Sequence, residues 1–197
     1  NNAIGDAGLE ALAQAIAPTG VDGGELALAH EGITVHEQSV GHLRVSADFP
    51  DPRPQIYPRS HPDWPTPALQ VLYLSRNNVG NAGMKGFSSA ITRGAMVNLQ
   101  TLDLEENAIS DAGMVAFAEA LVSRHGVLAK LEWFSVAGNR ISNTGMQSLT
   151  VSIEKGALTS LKMLYLDKNR IGNSGMADFA GAIRTKEGRP EALPALQ

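Results

Sequence analysis

The sequence predicts an α/β solenoid, a stack of strand–turn–helix units repeated along the chain. Three observations predict it. A thirteen-residue stretch recurs as "LYLSRNNVGNAGM" from Leu72, "LDLEENAISDAGM" from Leu102, "FSVAGNRISNTGM" from Phe134 and "LYLDKNRIGNSGM" from Leu164. The step is nearly constant, since Asn77, Asn107, Asn139 and Asn169 follow one another at 30, 32 and 30 residues. The hydrophobic period also changes inside each copy, from alternation before the asparagine to three-and-four spacing after it. A catalytic motif is needed once, whereas units that bury their apolar faces on one another must match their neighbours.

The first element of each unit is a short strand. Leu72 and Leu74 alternate with Val71, Tyr73 and Ser75, the period-two pattern of a strand with one buried face. A turn of the "GNAG" type follows. Then Met84, Phe87 and Ile91 fall at i, i+3 and i+7, on one face of a helix. The same spacing recurs at Leu9/Leu12/Ile16, Met114/Phe117/Leu121, Met146/Leu149/Ile153 and Met176/Phe179/Ile183. The four methionines, with Leu9 in the same place, are therefore expected in the core. The glycines at 83, 113, 145 and 175 all fall at the turn into a helix. They are read as structural rather than as a phosphate loop, whose Lys-Ser/Thr ending and G-x-G-x-x-G spacing are missing.

Two places depart from the period. "NAIGDAGLEALAQAI" opens a further copy at Asn2, and Leu26, Leu28, Glu31 and Ile33 keep the frame 29 residues later as a degenerate repeat, with Glu31 in the asparagine's place. From Glu31 to Asn77 there are 46 residues, some 16 more than a repeat needs. The excess lies at about 46–67, in "SADFPDPRPQIYPRSHPDWPTP", which holds seven of the ten prolines. Proline lacks the N–H that a ladder or helix interior requires, so this is an irregular insertion. Its Tyr57, Trp64, Arg53 and Arg59 make it a candidate docking arm. The chain opens in mid-repeat at "NNAIGDAG" and closes on "LPALQ", echoing "TPALQ" at 66–70, so a single solenoid domain over 1–197 is expected to be a segment of a longer chain.

The spacing L-x-x-L-x-L-x-x-N, carried by Leu69, Leu72, Leu74 and Asn77 and again by Leu161, Leu164, Leu166 and Asn169, resembles the leucine-rich repeat proteins of the ribonuclease-inhibitor-like subclass. The resemblance covers nearly the whole chain outside 46–67. It implies a right-handed horseshoe with a parallel sheet on the concave side and helices on the convex side. It also gives the asparagine a task, hydrogen-bonding backbone groups at the bend after the strand from one coil to the next.

Composition narrows the function. With a net charge of −4 there is no general pull toward nucleic acid or anionic membrane. No apolar run approaches the ~18–20 residues a membrane span needs. There are no cysteines, which removes disulfides, thiolate metal sites and thiol nucleophiles and fits a reducing, cytoplasmic compartment. The histidines at 30, 36 and 42 are six apart, which gives no shared helical face for a metal. Nothing in the spacing argues for catalysis, a cofactor or a metal.

What remains is a non-enzymatic scaffold that binds a protein, alone or as a subunit of a larger assembly. If the repeats stack in register, the residues between the buried leucines form three columns on the concave side. They are Val71, Thr101, Trp133 and Met163; Tyr73, Asp103, Ser135 and Tyr165; and Ser75, Glu105, Ala137 and Asp167. Tyr73, Trp133 and Tyr165, rimmed by Asp103, Glu105, Glu106 and Asp167, have the composition of an anchor surface for a basic partner. The resemblance also admits a GTPase-activating protein of the Ran activator type, although that family's long acidic tail is missing. It admits, too, a targeting module for an enzyme domain elsewhere.

Overall fold

The computed structural model describes residues 5–7, 9, 34–37, 42–46, 70–123, 126–184 and 193–196. Among these residues six strands lie in one sheet in chain order: β1 (Thr34–Glu37), β2 (His42–Ser46), β3 (Val71–Tyr73), β4 (Thr101–Asp103), β5 (Trp133–Ser135) and β6 (Met163–Tyr165). The helices α1 (Asn81–Thr92), α2 (Asp111–Ser123), α3 (Asn143–Glu154) and α4 (Asn173–Ile183) follow β3, β4, β5 and β6 in turn. From β2 to β6 every pairing is parallel; only β1 runs antiparallel, against β2.

Each unit folds as its periodicity requires. Leu72, Leu102 and Phe134 point into the core with no exposed surface, and Leu74, Leu104 and Val136 do the same one pleat later. Met84, Met114 and Met146 meet them from the helices, also fully buried. Phe87, Phe117 and Phe134 form an aromatic spine through the stack, with ring centroids 6.3 and 5.2 Å apart. No unit has both faces of this core within itself, so burial is shared between neighbours.

The asparagines join the coils. Asn107 Nδ2 donates to the carbonyls of Leu104 (3.0 Å) and Glu105 (3.1 Å) in its own unit and to Leu74 (2.9 Å) in the one before. Its Oδ1 accepts the N–H of Val79 at 3.0 Å. Asn139 and Asn169 repeat this pattern toward Leu104 and Ile109, and toward Val136 and Ile141. Peptide groups at a buried bend are thereby paired. The residue before each asparagine adopts positive φ: Arg76 at 58°, Glu106 at 52°, Gly138 at 66° and Lys168 at 53°.

A second ladder was not read from the sequence. The first residue of each helix caps the next helix. Asn81 Oδ1 accepts from the N–H groups of Ser110 and Gly113, both at 3.0 Å, and Asp111 Oδ1 accepts from Ser142 (2.7 Å) and Gly145 (3.0 Å). Asn143 Oδ1 accepts from Gly172 at 2.7 Å. These N–H groups are the donors a helix N-terminus leaves without intrahelical partners. The glycine at the third helical position is required by this close approach. A Cβ on Gly145 would stand 2.7 Å from Asp111 Oδ1, and one on Gly113 would stand 2.8 Å from Asn81 Oδ1.

The same ladder reaches the first copy. Asp6 Oδ1 accepts from Gly80 (2.6 Å) and Gly83 (2.8 Å), and Leu9 is fully buried in the common core. The first copy therefore sits directly against α1. The degenerate repeat expected around Leu26, Leu28, Glu31 and Ile33 falls on residues outside the described set. The strand beside β3 is β2, with His42 opposite Val71 and Arg44 opposite Tyr73. Residues 47–69, which hold nearly all of the proline-rich insertion, also lie outside the described residues.

The other end departs from expectation as well. Met176, expected in the core with the other three methionines, is 42% exposed. Leu164, Leu166, Ile171 and Ile183 are only partly buried. Their counterparts in earlier units are covered by a following unit, and among the described residues no strand pairs with the outer edge of β6.

Candidate protein-binding face

The sheet face turned away from the helices carries the predicted columns in the predicted register. Val71, Thr101, Trp133 and Met163 are paired strand to strand, as are Tyr73, Asp103, Ser135 and Tyr165. The third column is held by backbone bonds of 2.8–2.9 Å from Arg76 to Glu105, Glu106 to Ala137 and Gly138 to Asp167. Side chains two residues apart share a face of a strand, so the columns stand side by side.

The columns are unevenly exposed. Trp133 and Tyr165 form a tilted ring pair, with centroids 5.2 Å apart and planes at 44°. Tyr165 and Met163 are 42% and 41% exposed, and the Tyr165 hydroxyl donates to Met163 Sδ at 3.6 Å. Trp133, Tyr73 and Glu105 are half-buried and Asp167 is exposed. Ser135 and Ala137 are almost wholly covered, so the larger side chains around them form the surface.

Asp103 is the exception among the predicted rim residues. It is 8% exposed, and its Oδ1 accepts the N–H of Glu105 at 2.9 Å. A carboxylate two residues before an N–H satisfies it locally, so Asp103 shapes the strand end more than it meets solvent. Glu106 pairs with Arg76 at 3.2 Å, and Glu132 with Lys162 at 2.7 Å. Among the described residues, neither Glu105 nor Asp167 has an ion-pair partner. Tyr57, Trp64, Arg53 and Arg59 lie outside the described residues. His42 and Arg44 extend the first two columns by register. No L-x-x-L-x-L-x-x-N pattern marks that strand, so nothing in its residue spacing points to them.

On the convex side, a shallow groove of about 280 Å³ runs between α2 and α3, past Val122 and Val151. Such a groove is what two parallel helices leave between them. Among the described residues no group of three or more histidine, aspartate or glutamate side chains is placed to hold a metal, and no helix is long and apolar enough to cross a membrane.

A family profile agrees with the architecture. The sequence profile of the Leucine Rich repeat family matches residues 1–13, 67–88, 95–118 and 157–180. No curated protein matches. Among solved structures, the chain is similar to the actin-binding site 2 of leiomodin-1, at 14% identity and a TM-score of 0.48 over 59% of this chain and 65% of that one. It is also similar to an internalin (inlF) of Listeria monocytogenes, at 20% identity and a TM-score of 0.32 over 65% of this chain and 41% of that one. The chain thus spans less than two thirds of either structure. Stacked strands in one register, asparagines bonding from coil to coil and the family profile falling on three of the four strand–helix units give this chain the leucine-rich repeat architecture.

Proposed function

We propose that the chain is a non-enzymatic protein-interaction scaffold that binds its partner through the concave face of the sheet. The observation that carries this is the Trp133–Tyr165 ring pair beside exposed Met163 on a rigid, in-register sheet. Contiguous aromatic and apolar side chains facing water need a reason, and aromatic anchors ringed by polar groups are the usual composition of a binding hot spot. Glu105 and Asp167, without an ion-pair partner among the described residues, favour a basic partner. The helices of 11–13 residues in each unit support the ribonuclease-inhibitor-like subclass. In this reading the insertion supplies a second contact through Tyr57, Trp64, Arg53 and Arg59. The chain works in a reducing, cytoplasmic setting as part of a larger assembly.

The test is site-directed photo-cross-linking in native extract. A photoreactive phenylalanine at Tyr73 or Tyr165 is expected to capture a protein that the same group at Val122, on the convex side, does not. Equal capture from both faces, or from the convex face alone, removes the concave site. No arrangement among the described residues favours the GTPase-activator alternative. A GTP-hydrolysis assay with small GTPases separates that activity from simple binding.

A further inference from the structure

Resting on the concave-face reading, we infer that the surface around Trp133 is a seat for an arginine side chain of the partner. Three observations meet there. The first is the aromatic pair: Trp133 and Tyr165 present tilted rings 5.2 Å apart, with Tyr165 42% exposed. The faces of such rings attract a cation, and a flat guanidinium can also stack on them.

The second is charge. Glu105 and Asp167 belong to one column and flank Ala137 on either side. With strands about 4.8 Å apart, their backbones are about 10 Å from each other. Two carboxylates at that separation can each meet one edge of a guanidinium lying between them, directly or through a water. Both lack an ion-pair partner among the described residues, while their neighbours Glu106 and Glu132 are already paired with Arg76 and Lys162.

The third is the shape of the strand between them. β5 carries Trp133, then covered Ser135, then covered Ala137, so no bulky side chain of β5 stands between the two acids. Asp103 fixes one wall, since its Oδ1 holds the Glu105 N–H at 2.9 Å. Arginine fits this seat better than lysine does. Tyr165 stands two residues before Asp167, so a planar cation on its ring can also reach the acids, whereas an ammonium is a point charge that keeps its hydration.

The test uses the whole chain with Trp64→Phe, which leaves Trp133 as the sole tryptophan. The Trp133 indole N–H is followed by NMR while a blocked Gly-Ser peptide carrying one arginine is added. Matched peptides carrying lysine or the uncharged isostere citrulline are run in parallel. The arginine peptide is expected to shift the indole signal saturably, the lysine peptide to bind roughly threefold more weakly, and citrulline not to bind. Glu105→Gln with Asp167→Asn is expected to weaken the arginine peptide roughly three- to tenfold. Asp178→Asn, an exposed acid on α4, is expected to leave it unchanged. Trp133→Leu, read by the amide signals of Tyr165 and Ala137, is expected to abolish binding, and the rest of the amide spectrum reports folding. Equal binding of citrulline, or no loss in the doubly neutralised protein, overturns the seat. If the arginine peptide fails while cross-links still map to Tyr73 and Tyr165, the seat falls and the concave site stands. If the peptide binds but cross-links map elsewhere, the seat stands and the scaffold reading falls.

Discussion

At the scale of single residues, two amide and carboxylate ladders hold the stack, and each makes a prediction. Asn107→Ala removes the donors to Leu74, Leu104 and Glu105 and leaves the Val79 N–H without its acceptor. Buried peptide groups stripped of partners are costly, so chemical denaturation is expected to show a loss of about 3 kcal/mol. Asn77→Ala is expected to cost less, because among the described residues the buried Asn77 Oδ1 has no partner to lose. Asp111 belongs to the other ladder. Burial raises its pKa, but the hydrogen bonds from Ser142 and Gly145 and the charge of Arg170 outweigh burial and hold it below the ordinary 3.8. A depressed folded pKa stabilises the native state above 3.8, and that part is lost as pH falls through the folded value. A melting-temperature series from pH 6 to pH 2.5 is expected to show this acid limb weakened in Asp111→Asn. At pH 7 that amide should be nearly neutral, since Asn81 and Asn143 do the same work with amides. Asp111→Ala is expected to cost about 1 kcal/mol, as a lost helix cap does.

At the scale of the element, what repeats was legible and what joins the repeats was not. The strand columns and the helix faces of Phe87, Phe117 and Leu149 follow from hydrophobic period alone, because each face is buried by the same neighbour in every unit. The capping ladder escaped because its two ends are about thirty residues apart, and a single asparagine before a glycine looks like any turn. The burial of Asp103 escaped for a similar reason, since its place in a column fixes its side of the sheet and not its local hydrogen bond. The exposure of Met176 shows that position in the stack overrides position in the repeat. Truncation makes the same point energetically. Phe117→Ala, between Phe87 and Phe134, is expected to cost ~3–5 kcal/mol. Phe179→Ala, in the unit with the uncovered face, is expected to cost less than Phe117→Ala. Urea unfolding of the pair checks the order, and equal losses would mean that α4 is packed as tightly as α2.

At the scale of the whole molecule, the direct contact of Asp6 with Gly80 and Gly83 means that the segment between the first copy and β3 leaves and returns to nearly the same place. Closure cost grows slowly with loop length, ~0.6 kcal/mol per doubling. Replacing residues 47–66 with a short Gly-Ser linker is therefore expected to keep the circular dichroism spectrum while lowering capture of the partner. Full capture would make the insertion a passive spacer, and loss of the spectrum would make it part of the fold. Its prolines carry the expectation of an irregular segment, and they lie outside the described residues. They could not tell that β2, just before them, takes the sheet position beside β3, because no repeat pattern marks it. The capping ladder runs one way along this molecule: Asp6 serves α1, Asn81 serves α2, Asp111 serves α3 and Asn143 serves α4. On a ribosome each helix would then emerge to find its cap already in place, whereas a chain released from its far end would lack one. Synthesis and refolding from denaturant would in this way be different problems for the same sequence, and the first is the easier.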